Sequence, residues 1–419
     1  MKFIVAFLLC LVVHSCLSEK VRYDGYKLYK FTPRTAEAVQ ALVELEQGDF
    51  SEYNFWSSVG PVGIPVQIMV PPYKISEVHH LAERVGIDAE VMMENVQDYI
   101  DAEERPATYD TGFGWERYHT LSEINEWLVN LRDTYPEVVT LIEVNATYEG
   151  RTILGVKVQY PTSNVSQSVF VESTIHAREW ITSATTTYIL NELLTSTNTT
   201  ISELARKHVW YFFPVFNPDG FQFSHTTDRM WRKTRVPHSV LCIGADPNRN
   251  WDYHWGVAGT SNSPCTEIYR GPEPFSEPSC RVMSEYIDGI ADQLLAYISF
   301  HSFSQLLLIP FGYTHEHIGN YDKIYQIGLK SAEALAQRFG TQYRVGTVYE
   351  TIYPAAGSSP DWVKGKYGTP IVYTYELRDL GVHGFLLPPE QIIPTSEETL
   401  DSFITIFKEY EAYETNNVV

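Results

Sequence analysis

Val169-Phe-Val-Glu-Ser-Thr-Ile-His-Ala-Arg-Glu-Trp180 runs from an apolar segment through His176 and Glu179 into a helix-spaced stretch that ends near Leu194. A short run dominated by branched and aromatic residues, closed by small polar ones, predicts a buried strand over Val169–Ser173. Similar runs lie at Val138–Val144, Ile153–Gln159, Val209–Val215, Leu294–Phe300 and Ile371–Glu376. Helical stretches stand between or after them, at Trp180–Leu194, Tyr321–Phe339 and about 396–412. Such alternation predicts an α/β fold with a mixed, mostly parallel sheet flanked by helices. Sheets of this kind bind ligands beyond the carboxyl ends of their strands, which is where His176 and Glu179 fall.

Two more chemically suggestive residues share that position. His301 follows the strand Leu294–Phe300, and Glu376 closes Ile371–Glu376. Two ligands close together with a third far downstream suit a catalytic zinc, which keeps a fourth position for water. The tetrapeptide H-x-x-E is common by itself, and a single His after a strand is usually structural. It is their shared placement that carries weight. A carboxylate ending an aromatic strand is costly to bury unless paired or used. Glu376 therefore either pairs with a residue such as Arg378 or serves as a general base. Arginines gather in Asp228–Arg235 and in Pro247-Asn-Arg-Asn-Trp251. Their bland reading is surface ion pairing, for Lys233 and Arg235 in particular. An Arg with a neighbouring Asn is also a bidentate receptor for a free carboxylate.

Residues 26 to 101 read as a separate small unit with the order β-α-β-β-α-β, a ferredoxin-like arrangement. The expected elements are Tyr26–Phe31, Thr35–Glu46, Tyr53–Ser57, Pro65–Val70, Ser76–Val85 and a last strand in Val91–Ile100. Asp101-Ala-Glu-Glu-Arg-Pro-Ala-Thr108 then reads as a boundary and a place to cut, near Arg105, although Pro106 would hinder a trypsin-like protease. Its bland reading is an ordinary linker. Before the small unit, Lys2 and the apolar run Phe3–Val13 form a secretory leader pattern ending near Ser18, too short to span a bilayer. The expected divisions are 1–18 as signal, 19–105 as the small unit and 106–419 as the large one.

The formal charge of −21 makes nucleic acid and anionic membranes poor partners. With the leader removed, Cys242, Cys265 and Cys280 remain, and three pairings are open. A Cys242–Cys265 bridge is the expected one, with Cys280 left over. In an exported chain, Asn145, Asn164 and Asn198 are glycosylation acceptors.

His-Ala-Arg-Glu-Trp, Trp-Arg-Lys-Thr-Arg, Asn-Arg-Asn-Trp, Ser-Phe-His-Ser, Tyr-Glu-Leu-Arg-Asp and Phe385-Leu-Leu-Pro-Pro-Glu-Gln-Ile-Ile-Pro-Thr395 follow in order. The set resembles the pancreatic-type zinc metallocarboxypeptidases, and the unit before it resembles their activation domain. The resemblance implies a secreted zymogen with one Zn2+ per chain, held by His176, Glu179 and His301. It implies Glu376 as base and Arg232 as the group that stabilises the oxyanion. Asn248 and Arg249 become the terminal-carboxylate clamp and Tyr353 a mobile cap. Arg178 and Ser302 become accessory substrate-binding residues, and Cys242–Cys265 the common disulfide. Implied partners are peptides with a free C-terminus, an activating protease and protein inhibitors.

Where relatives that prefer basic residues carry an acidic one, this chain has Pro360. Gly312, Val348, Ala355 and Thr374 match other pocket positions, so an A-type preference for aliphatic and aromatic C-terminal residues is expected. Lys364 and Lys366 keep an acidic preference open. Phe303 replaces a tyrosine common among relatives. Rival readings are a non-catalytic peptide-binding homologue, a deacylase of small amides, and an N-terminal unit that is an independent binding module.

Overall fold

The computed structural model describes residues 19–48, 52–103, 112–161 and 165–416. The leader, Arg105 and Asn164 lie outside the described residues.

The N-terminal unit is an antiparallel sheet of β1 (Lys27–Pro33), β2 (Asn54–Phe55), β3 (Val66–Val70) and β4 (Ile87–Met93), in the order β2-β3-β1-β4. Helices α1 (Ala36–Gln47) and α2 (Ile75–Val85) follow β1 and β3, as a ferredoxin-like order requires. Strand alternation divides the side chains between two cores. Tyr29 and Phe31 of β1 pack with Ala38, Leu42, Val78 and Ala82 of the helices. Leu28, on the opposite face, joins Met69 and Met93, and these pack with Met230, Phe303 and Phe385 from the larger unit. The expected strand over Val91–Ile100 is corrected: β4 ends at Met93, and α3 (Val96–Glu103) follows. Its buried residues are Val96, Gln97, Ile100 and Glu103, a helical spacing that covers one face.

The larger unit holds an eight-stranded sheet. Its strands are β5 (Val139–Val144), β6 (Ile153–Val158), β7 (Ser168–Ser173), β8 (Val209–Phe213), β9 (Leu294–Ser302), β10 (Leu306–Ile309), β11 (Arg344–Thr347) and β12 (Ile371–Leu377). The order is β11-β10-β12-β9-β7-β8-β6-β5. The central neighbours β12, β9, β7 and β8 run parallel, and antiparallel pairs flank them. Helices α4 (Leu121–Thr134), α5 (Trp180–Thr195), α6 (Thr199–Lys207), α9 (Tyr321–Phe339) and α12 (Ile392–Asn416) contribute to the core on one face. On the other face, α8 (Pro278–Asp288) and α11 (Ser359–Tyr367) pack over Phe170 and Tyr297. Shorter α7 (Pro218–Thr226) and α10 (Val348–Thr351) complete the unit. The central strands are buried on both sides, which is why they read as continuous apolar runs. Cys242 and Cys265 are joined, and Cys280 is a free, buried thiol in α8.

Candidate active site

Three adjacent parallel strands deliver the reactive groups to one edge of the sheet. β7 ends at Ser173 and leads into His176 and Glu179, just before α5. His301 lies inside the end of β9, which runs two residues further than expected, and Glu376 pairs across from it in β12. Neighbouring strands in register thus set a base candidate beside a ligand candidate with no loop between them.

His176 Nδ1 is 2.7 Å from Glu179 Oε1, and His301 Nδ1 is 3.1 Å from Glu179 Oε2. The two Nδ1 atoms face each other at 3.2 Å. Two ring nitrogens and one carboxylate that all converge at this range leave a proton nowhere to satisfy every contact, whereas a divalent cation does. Among the described residues this is the one group of three such side chains whose ligand atoms lie within 4.8 Å of one another. The donor set, two imidazoles and a carboxylate, is that of a catalytic zinc. His176 turns its other nitrogen, Nε2, to Asp246 Oδ1 at 3.0 Å, the outer carboxylate that fixes a ligating imidazole. Burial disfavours charge on Glu179, but the two imidazoles prevail and hold its carboxyl well below the usual range.

Asp246 is shared. Its Oδ2 accepts from Arg232 at 2.7 Å, and its Oδ1 also accepts from the Asn248 backbone at 2.8 Å. One buried carboxylate thereby orients a metal ligand, the oxyanion candidate and the turn carrying Asn248 and Arg249. Arg249 is held by the carbonyls of Gly259 and Asn248 and packs near the Tyr353 ring, 5.9 Å from its centroid. Gly357 lies so close behind this turn that a Cβ would meet Arg249 O at 2.5 Å. At φ +75 it also occupies a conformation that glycine tolerates best.

His176, Glu179, His301, Glu376, Arg232, Asn248, Arg249, Tyr353, Ser302, Pro360 and Thr374 all line one cleft. Arg178 does not. Its guanidinium is buried beneath the N-terminal unit, bonded to Asn54 Oδ1 (2.9 Å) and Phe55 O (2.9 Å), and it lies over the Phe385 ring. Trp56, next in the same segment, enters the cleft and packs against Phe303 and Phe385. Arg378 bonds Glu398, so the pairing considered for Glu376 is not made. Burial first, then the Glu179 charge, pushes the Glu376 carboxyl up to about 8 against the opposing pull of His301. Lys233 donates to Pro264 O, and Arg235 packs on Phe223 and Trp231, so both are structural. Lys364 is spent on Asn320 and the Thr369 carbonyl, and Lys366 on Asp288. Neither lines the cleft.

Residues 124–402 match the zinc carboxypeptidase family, and residues 29–103 match the carboxypeptidase activation peptide. The chain belongs to the zinc carboxypeptidases. This carboxypeptidase is 44% identical over 400 residues to zinc carboxypeptidase A 1 of Anopheles gambiae, covering 94% of this chain and 92% of that one. Its fold matches the crystal structure of thrombin-activatable fibrinolysis inhibitor with a TM-score of 0.84 at 30% identity, over 92% of this chain and 98% of the other. It also matches the bovine form of that protein in complex with tick carboxypeptidase inhibitor, with a TM-score of 0.67 at 32% identity, over 72% of this chain and 99% of that one. The protein is thus a metallocarboxypeptidase with an activation domain.

Sequence reading missed two residues here. Asp246 stood immediately before the Pro-Asn-Arg-Asn motif, which was the available signal. Trp56 looks like any core aromatic of a small sheet.

Proposed function

We propose that this carboxypeptidase, freed of its activation domain by a protease acting near Arg105, releases aliphatic and aromatic residues from the C-terminus of peptides outside the cell. The observation that carries the specificity is the uncharged part of the cleft. Leu308, Val348, Ile352, Ala355, Pro360 and Thr374 line it, with no acidic or basic side chain among them. Burying a lysine or glutamate side chain there would leave its charge unpaired, while a phenylalanine or leucine gains about 1.5–3 kcal/mol from burial. With Lys364 and Lys366 engaged elsewhere, the acidic preference loses its cation.

In this reading His176, Glu179 and His301 hold the metal. Zinc held there would supply a Lewis acid and would lower the pKa of water at the site to about 7. Glu376 takes the proton of the attacking water and passes it to the departing amine. Arg232 donates to the carbonyl oxygen as negative charge develops. Asn248 and Arg249 bind the free carboxylate, which places the last peptide bond and no other at the reactive groups. Tyr353 closes over bound substrate, and Ser302 and Arg178 extend the contacts upstream. The domain divisions near 18 and 105 belong to this proposal, as does export, supported by the leader pattern and the Cys242–Cys265 bridge. Protein inhibitors are proposed partners by analogy with the complex named above.

The test is a set of peptides that differ only in their last residue, offered to the processed enzyme. Leu- and Phe-ended members should give kcat/KM at least about tenfold above Lys- and Glu-ended ones. Faster release of lysine or glutamate would overturn the A-type assignment.

A further inference from the structure

Glu172 is wholly buried in β7, four residues before His176, yet nothing in the chemistry above uses it. Its Oε1 accepts from the Ser299 hydroxyl, from Tyr297 Oη at 3.4 Å and from Ser359 Oγ at 3.5 Å. Its Oε2 is buried without a hydrogen-bond partner. A carboxyl sealed from water is expensive to keep, so its contacts merit a reason.

Ser359 is where those contacts lead. It opens α11, flanked by Ser358 and Pro360, which both line the cleft. Its backbone N–H donates to Asn248 Oδ1 at 3.0 Å, and its Oγ lies 3.5 Å from the same oxygen. An amide whose oxygen is taken from behind has its NH2 turned the other way. Asn248 is thereby held with its NH2 on the opposite side, where Nδ2 lies 3.4 Å from Nε2 of His301, and both residues line the cleft in which a substrate carboxylate would be received.

We infer that Glu172 is a positioning residue for substrate binding: its fixed oxygen anchors Ser359, and through Ser359 it sets the orientation of Asn248 and the seat of Pro360. The inference rests on the assignment of Asn248 to the carboxylate clamp. It assigns Glu172 to ground-state binding and not to the chemical step, because neither Asn248 nor Pro360 meets the reacting bond.

The experiment uses the full-length chain, processed after folding, with Glu172→Leu, Glu172→Gln and Ser359→Ala. Leucine removes the acceptor at similar volume, while glutamine keeps an oxygen for Ser299, Tyr297 and Ser359. Zinc content is measured alongside kcat and KM on a Phe-ended peptide. Glu172→Leu should raise KM about tenfold with kcat within about threefold and zinc retained, and Glu172→Gln should restore most of the loss. Ser359→Ala should raise KM in the same direction, and combining it with Glu172→Leu should add little, since both cut one chain of contacts. A zinc-loaded Glu172→Leu enzyme with unchanged KM would overturn the inference, as would one that loses kcat alone. Should Glu172→Leu fail to fold, unchanged KM in Ser359→Ala would overturn it equally. Wild-type enzyme that releases no C-terminal residue would instead defeat the proposed function, so the two failures are distinguishable.

Discussion

Arg232 and Arg249 present guanidinium groups to the same cleft, but their loss should read out differently. Arg232 meets charge that exists only as the bond breaks, so Arg232→Ala should lower kcat about 10²–10³-fold with a smaller change in KM. Arg249 binds a carboxylate present from the start, so Arg249→Ala should act mainly on KM. Steady-state kinetics on a Phe-ended peptide separates the two, and equal effects on both constants would contradict the roles. At this scale the sequence was most legible where chemistry demands rare residue types at strand ends, as with His176, Glu179, His301 and Glu376. It was least legible where a residue acts from behind. Asp246 touches a His and an Arg from other segments, a convergence that only the fold creates. Arg178 matched a substrate-binding position, yet the activation domain holds it in this form of the chain.

Among elements, α4 shows how local chemistry sets a boundary. The Thr120 hydroxyl accepts from Glu123 N–H, and the Glu123 carboxylate reaches back to Thr120 N–H at 2.8 Å, forming a capping box. Hydrogen bonds from Arg117, with those from Thr120, hold the Glu123 carboxyl down to about 2 against the upward push of burial. A carboxyl lowered in the folded state adds stability that is full above its ordinary value near 4.5 and fades as pH falls toward 2. Glu123→Gln should therefore lower Tm at neutral pH, and the gap to wild type should narrow across that acid range. Thr120→Ala should cost about 1 kcal/mol at neutral pH. Thermal unfolding checks both, and a gap that widens on acidification would contradict the account. Helices with clear 3.6-residue spacing, such as Tyr321–Phe339, were legible to the residue. β4 was not, because most of its side chains are exposed or half-buried and give no alternation to read. The helix after it was hidden by a strand-like composition, although Val96 and Ile100 carry a helical spacing.

For the molecule as a whole, the activation domain and catalytic unit share a core and a buried ion pair. Arg229 donates to both oxygens of Glu103, at 2.6 and 2.9 Å, and stacks on Trp180. Removing one partner of such a pair costs about 3–5 kcal/mol, since the other charge stays buried. Glu103→Ala should loosen α3 and raise the activity of the uncut chain on small peptides, measured before any protease is added. Unaltered activity would mean that the pair does not hold the domain in place. The sequence pointed to two units, and both are seen. Which face of the small sheet meets the large one, and which side chain enters the cleft, could not be read, since an alternating strand does not say what covers either side.

The central claim is that His176, Glu179 and His301 hold a zinc that works with Glu376 on the last peptide bond of a chain. Its most direct test is mass spectrometry of a Phe-ended peptide after exposure to the processed enzyme, alongside metal analysis of the protein. The account predicts one zinc per chain and loss of residues from the C-terminus only. It also predicts that activity is abolished by a chelator, restored by zinc, and absent in a metal-loaded Glu376→Gln variant. Cleavage inside the peptide, or full activity after the zinc has been removed, would contradict it.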